Sequence, residues 1–153
     1  MSAPGSLPGS DDLRGWTRRD FGVLRPQPTR WHDNDVYGHV NNAVFYAWFD
    51  TAVNGYLMEA SGADITQLPA IGVVAETGCR YLSQVTFPER VEIGLAVARL
   101  GRTSVTYRLA VLRSGEDVPA AVGRFVHVYV DRTTRRPVAV PAVVRAVLEP
   151  LTD

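Results

Sequence analysis

Residues 42–59 read NAVFYAWFDTAVNGYLME, and their periodicity decides the fold class. Val44, Trp48, Ala52 and Tyr56 recur at four-residue steps, and Phe45, Phe49, Val53 and Leu57 form the row beside them. Two adjacent rows of this spacing make one broad apolar stripe on a helix, with Asp50, Thr51 and Asn54 left on the remaining arc. So wide a stripe requires burial along most of its length, despite the cost of Gly55 in the helix interior. Ser61-Gly62 supplies the stop, because glycine accepts the left-handed conformation in which helices often end.

Beyond this helix the chain reads as strand after strand. Residues 71–85, 91–100, 103–112 and 120–130 are rich in Val, Tyr, Thr and Phe, the residues that favour a pleated, half-buried surface. The clusters Phe87-Pro88-Glu89-Arg90, Gly101-Arg102 and Arg113-Ser114-Gly115-Glu116-Asp117 separate them. Connections this short predict antiparallel hairpins, hence a meander with the long helix packed on one face, an α+β arrangement. Residues 141–151 begin with Pro and place Val143, Val144, Val147 and Leu148 at helical spacing, which predicts a short closing helix. Before the long helix, residues 21–30 carry Pro26 and Pro28 in an apolar run, which suits an edge strand. Residues 1–20 are polar and rich in Pro and Gly, with no apolar stretch, and are expected to be a flexible tail before a single domain over 21–153.

Composition narrows the function classes. At 153 residues and 46% hydrophobic content the chain supports one core and not comfortably two. Sixteen basic residues balance sixteen acidic ones, so no net positive field exists to hold DNA or RNA, and no nucleic-acid partner is expected. No apolar run approaches the roughly 20 residues of a membrane-spanning helix, so no membrane is expected either. One cysteine, Cys79, forms no internal disulfide and fits a reducing, cytoplasmic setting. Every basic residue is Arg, which excludes Lys-based Schiff-base and P-loop chemistry and leaves any phosphate to Arg or backbone amides. His32, His39, His127 and Cys79 lack metal-ligand spacing, so neither a metal nor another cofactor is expected.

The densest polar cluster is residues 30–42, RWHDNDVYGHVNN, at the junction of first strand and long helix. Gly38 permits a sharp or positive-φ turn, and Asn41 or Asn42 is a good helix N-cap. The first amides of the helix then point outward with the positive end of its dipole, a ready site for an oxyanion. Asp35 lies a few residues upstream, where its carboxylate can reach a carbonyl carbon whose oxygen rests on those amides. Asp33 is expected to support the loop. Acyl transfer or hydrolysis is the chemistry such a junction suits.

The run Asp35-Val36-Tyr37-Gly38-His39-Val40-Asn41-Asn42, followed by Tyr46 and the aromatic helix, resembles the signature of the hotdog-fold acyl-CoA thioesterases. The similarity is to the acyl-CoA thioester hydrolase branch of the 4-hydroxybenzoyl-CoA thioesterase-like family. It continues through Arg80-Tyr81-Leu82, Val91-Glu92-Ile93, residues 100–105 and residues 130–141, covering roughly 21–150. The resemblance implies a hotdog fold, an antiparallel sheet wrapped around one long central helix. It also implies a homodimer or homotetramer with active sites at the subunit interface. The substrate it implies is an acyl-CoA, hydrolysed to a free acid and CoA.

By the same resemblance Asp35 is the catalytic carboxylate, either nucleophile or general base, and the amide that polarises the thioester carbonyl falls at or beside Asn42. His39 and Asn41 line the turn, Tyr46 follows on the helix, and Arg102, Thr103 and Ser104 lie where related enzymes place carrier contacts. Arg108, Arg132, Arg135 and Arg136 are further candidates for CoA phosphates. Two departures stand out: Gln84 occupies a position often held by Pro, and Glu89 is the acidic turn residue, both expected to lie away from the carboxylate. Two other readings stay open, a hotdog-fold enoyl-CoA hydratase or dehydratase using His39, and a noncatalytic acyl-CoA binding module. A carboxylate within the helix, Asp50 or Glu59, is a further alternative to Asp35.

Overall fold

Helix α1 (Asn42–Ser61) begins where the Asn41 Oδ1 accepts the Ala43 amide at 2.9 Å and ends at Gly62, whose φ of 66° is left-handed. The computed structural model describes residues 16–152, and both helix ends stand where the periodicity sets them. Phe45, Trp48, Phe49, Ala52, Val53 and Leu57 of α1 are buried, so the two apolar rows form the face that meets the sheet.

Among the described residues five antiparallel strands wrap this helix: β1 (Val23–Pro28), β2 (Ala70–Tyr81), β3 (Arg90–Leu100), β4 (Ser104–Arg113) and β5 (Ala121–Asp131). The arrangement is the hotdog fold the sequence implies, closed by helix α2 (Ala142–Leu148) against α1. Helix and sheet approach closely at Gly123 of β5, where a methyl group would fall 2.5 Å from the Phe49 ring.

The strand order β1-β3-β4-β5-β2 corrects the expected meander. Only β3, β4 and β5 follow one another as neighbours; β2 lies beyond β5, at the opposite edge from β1. The chain does not turn back after Tyr81. Leu82 and Ser83 donate their amides to the Ala120 carbonyl, the Val85 carbonyl accepts the Val40 amide at 2.7 Å, and Val85 is buried. Residues 82–89 thus cross the end of the domain beneath the start of α1, carrying the chain from one sheet edge to the other. The outer edge of β2 carries no strand among the described residues, and Val73 and Val74 on it are exposed.

A smaller apolar cluster, Phe21, Ala96, Ala110, Leu112 and Val122, covers the face of the sheet away from α1, with Trp16 packed against it. Trp16–Asp20, assigned from sequence to the flexible tail, are part of the fold. Arg18 Nη1 reaches the Glu92 carboxylate at 2.6 Å, and the Arg108 guanidinium sits 4.4 Å above the Trp16 ring. The rest of the expected tail, residues 1–15, lies outside the described residues. No described helix is long and apolar enough to cross a membrane.

Candidate active site

Between β1 and α1 the chain is folded tightly by its own polar groups. Asp33, 1% exposed, accepts three hydrogen bonds from Arg30: the amide at 2.8 Å, Nε at 3.0 Å and Nη2 at 2.8 Å. The Asp33 carbonyl accepts the Asn41 amide at 2.8 Å, and Asn34 Oδ1 accepts the Phe87 amide at 3.1 Å. Asp33 is therefore loop support, as its sequence context suggests. It fixes both ends of the excursion that carries Asp35.

Within that excursion, the Asp35 amide donates to the His39 carbonyl at 2.8 Å, and the Gly38 amide donates to the Asp35 carbonyl at 3.0 Å. Gly38 has φ of 81° with no atom within 4 Å of where a methyl group would stand, so its backbone conformation is the reason for glycine there. The Asp35 Oδ1 accepts the Tyr37 amide at 2.9 Å, the aspartate turn expected before a glycine. That bond sets the carboxylate's direction, and the second oxygen has no donor among the described residues.

Asp35, His39 and Asn42 line one cleft of about 280 Å³ with Phe45, Tyr81 and Gln84. Three of the sequence-derived site residues are thus together. The Asn42 amide, first in α1, has no acceptor among the described residues, as the exposed N–H groups of a helix start require. Tyr81 Oη donates to the Asn42 carbonyl at 3.0 Å, and its ring packs edge-on to Phe45 with centroids 5.0 Å apart, tying β2 to the helix start. Tyr46 does not line this cleft; its side chain lies beside the Tyr81 hydroxyl. Burial is the main force holding the Tyr81 hydroxyl protonated, and burial pushes the Cys79 thiol up to about 11, so neither supplies an anion at neutral pH.

Asn41 caps the helix and faces a neighbouring hollow with Trp31, His32 and the other side of Asp35. Gln84, expected away from the carboxylate, lines the same cleft, because residues 82–89 pass beneath the helix start. Glu89 instead pairs with Arg113 at 2.7 Å. Arg102, Thr103 and Ser104 are not brought to Asp35 within one chain. The Arg102 carbonyl accepts from Val140 and the Thr103 carbonyl from Tyr129, at the far end of β4 and β5 from the Tyr81–Ala121 pair. The separation is roughly seven strand residues, or about 23 Å. Tyr81 and Gln84 were not assigned to the site from sequence, since only the sheet topology places them there. Among the described residues no group of three or more His, Cys, Asp or Glu is arranged to hold a metal ion.

The sequence matches the thioesterase-like superfamily over residues 29–148. Among curated proteins none matches it. It is similar to a solved Pseudomonas aeruginosa protein at 50% identity and a TM-score of 0.86, covering 90% of this chain and 96% of the other. A Thermus thermophilus thioesterase, solved in complex with coenzyme A and Zn, is 30% identical with a TM-score of 0.72, over 86% of this chain and 95% of that one. A DHNA-CoA thioesterase from Staphylococcus aureus shares the fold at 19% identity and a TM-score of 0.69, over 76% and 79% of the two chains.

Proposed function

The chain belongs to the thioesterase-like superfamily and is a thioester hydrolase, and on that premise we propose that its substrate is an acyl-CoA, cleaved at a site centred on Asp35. The observation that carries this reading is the cleft that Asp35, His39 and Asn42 line together, with the Asn42 amide at the start of α1. A thioester carbonyl oxygen bound at the Asn42 amide gains the helix dipole and a preorganised donor as negative charge develops. Asp35 then attacks the carbonyl carbon, or removes a proton from the water that does. The thiolate leaves, and the acid is released directly or by hydrolysis of the acyl-enzyme. His39 orients the turn beside Asp35 and can donate to the same oxygen. A thioester is already an activated acyl group, so these residues supply what the step requires.

The working unit is a homodimer formed along β2, or a homotetramer built from it. The outer edge of β2, which carries no strand among the described residues, and its exposed Val73 and Val74 support this. Two copies of one edge strand paired about a two-fold run antiparallel, so the Tyr81 end of one lies beside the Ala70 end of the other. Arg102, Thr103 and Ser104 of one copy then approach the Asp35 cleft of its partner, where Arg side chains suit the CoA phosphates.

Thiol release from a panel of acyl-CoAs, read with a thiol-reactive dye, tests the substrate assignment. Turnover of at least one saturated acyl-CoA is expected. Hydration of an enoyl-CoA without thiol release would assign the site to a hydratase, and binding without turnover across the panel would make it a binding module.

A further inference from the structure

His127 on β5 is 2% exposed, and its Nδ1 has no hydrogen-bond partner among the described residues. Buried polar atoms in native proteins are overwhelmingly paired, so a lone buried nitrogen calls for an explanation. It stands beside a cavity of about 210 Å³, which His127 and Tyr129 line together with Asn54, Leu57, Ile71 and Gly72. Gly72 packs against the imidazole on this side: a methyl group there would sit 3.3 Å from Nδ1 and 3.2 Å from the Tyr129 ring. The imidazole is fixed by edge-on contacts with Phe125 at 4.9 Å and Tyr107 at 5.8 Å between centroids. Burial draws its pKa down to about 4, with Asp50 opposing, so the ring is neutral at physiological pH and carries one N–H and one lone pair.

We propose that this cavity is a recognition site for an uncharged hydrogen-bonding substituent, a hydroxyl or a carbonyl, at the far end of the acyl group. The inference rests on the acyl-CoA reading and on antiparallel pairing of β2, which sets the Ile71–Gly72 end of one copy beside the Tyr81 end, and hence the Asp35 cleft, of the other. A volume near 210 Å³ is below the roughly 300–1,000 Å³ of a whole-ligand site, so the cavity takes one end of a larger molecule. Among the described residues its lining contains no Arg, Asp or Glu, and the nearby Asp50 disfavours an anion, which argues against a terminal carboxylate. A plain alkyl end would leave Nδ1 unpaired, whereas a hydroxyl or carbonyl pairs it.

The test compares matched acyl-CoA pairs that share a carbon skeleton and differ only in a terminal hydroxyl or keto group, using the wild-type full chain, His127→Phe and Gly72→Ala. The wild type is expected to favour the substituted member of at least one pair by about tenfold or more in kcat/KM. Both variants, checked for folding by circular dichroism, are expected to reduce that preference to within about threefold of unity. A second readout needs no turnover: the 15N shift of His127 Nδ1 is expected to move on addition of the free hydroxy acid, and not with its unsubstituted analogue. Equal rates across every pair in an active enzyme, a preference that survives in His127→Phe, or an Nδ1 signal indifferent to both acids would overturn the inference. If no acyl-CoA is turned over, the substrate assignment fails, and the 15N titration alone decides the cavity: a shift specific to the hydroxy acid supports it and no shift refutes it.

Discussion

The backbone amide of Asp35 donates to the carbonyl of His39 at 2.8 Å, which closes a tight turn just before α1 and sets a carboxylate and a helix start in one cleft. Everything assigned to the site depends on that closure, and Gly38 inside it has φ of 81°. Replacing Gly38 by Ala puts a Cβ into a conformation that L-residues resist, without a clash, since no atom lies within 4 Å. The expected cost is about 1 kcal/mol of stability, read by urea denaturation, with a fall in kcat as the turn relaxes and Asp35 is displaced.

Asp33 acts one step behind Asp35. Truncation to Ala strips three acceptor contacts from Arg30 and leaves a buried gap, so Asp33→Ala is expected to lose about 2 kcal/mol in denaturant melts. Asp33→Asn keeps one acceptor for the Arg30 amide and should lose less. Activity measured below the melting transition is expected to fall more in the Ala variant, because the excursion bearing Asp35 loses its anchor.

Much of this architecture was legible in residues close together in sequence. The two apolar rows of residues 42–59 name the buried face of α1, and Gly62 ends the helix, because helix periodicity and caps are local properties. The same holds for Asp35, His39 and Asn42, which share one short turn. What sequence did not disclose is long-range. Residues 71–85 read as one strand running into a hairpin turn at 87–90, yet Leu82, Ser83 and Val85 bond through their backbone to Ala120 and Val40, which moves β2 to the far edge and brings Tyr81 and Gln84 to the cleft. Trp16–Asp20 read as tail because their anchors, Glu92 and the outer-face cluster, are many residues away.

Helix and sheet meet with no slack at Gly123. A methyl group there would stand 2.5 Å from Phe49, in the middle of α1, so Gly123→Ala forces the helix outward. A loss of about 1–3 kcal/mol in thermal or denaturant unfolding is expected from this overpacking. Gly72→Ala, on the open edge strand, should cost less.

His127 makes stability depend on pH on the acid side. Its folded pKa of about 4 lies below the ordinary 6.5, so between these values the unfolded chain binds the proton that the folded chain refuses. Its contribution is complete above pH 6.5 and is lost as pH falls toward 4, an effect of roughly 3 kcal/mol for a shift of this size. Denaturation midpoints measured from pH 7 to 4 should fall more steeply for the wild type than for His127→Phe.

The role of Asp35 is tested by kcat/KM for thiol release by Asp35→Asn on the best acyl-CoA of the wild type. Asparagine keeps the Oδ1 acceptor for the Tyr37 amide, so the turn and the circular dichroism spectrum should persist. A loss of about 100-fold or more with the fold intact is the predicted result. Wild-type turnover in the folded variant would contradict it, and would move the chemistry to a carboxylate elsewhere on the chain.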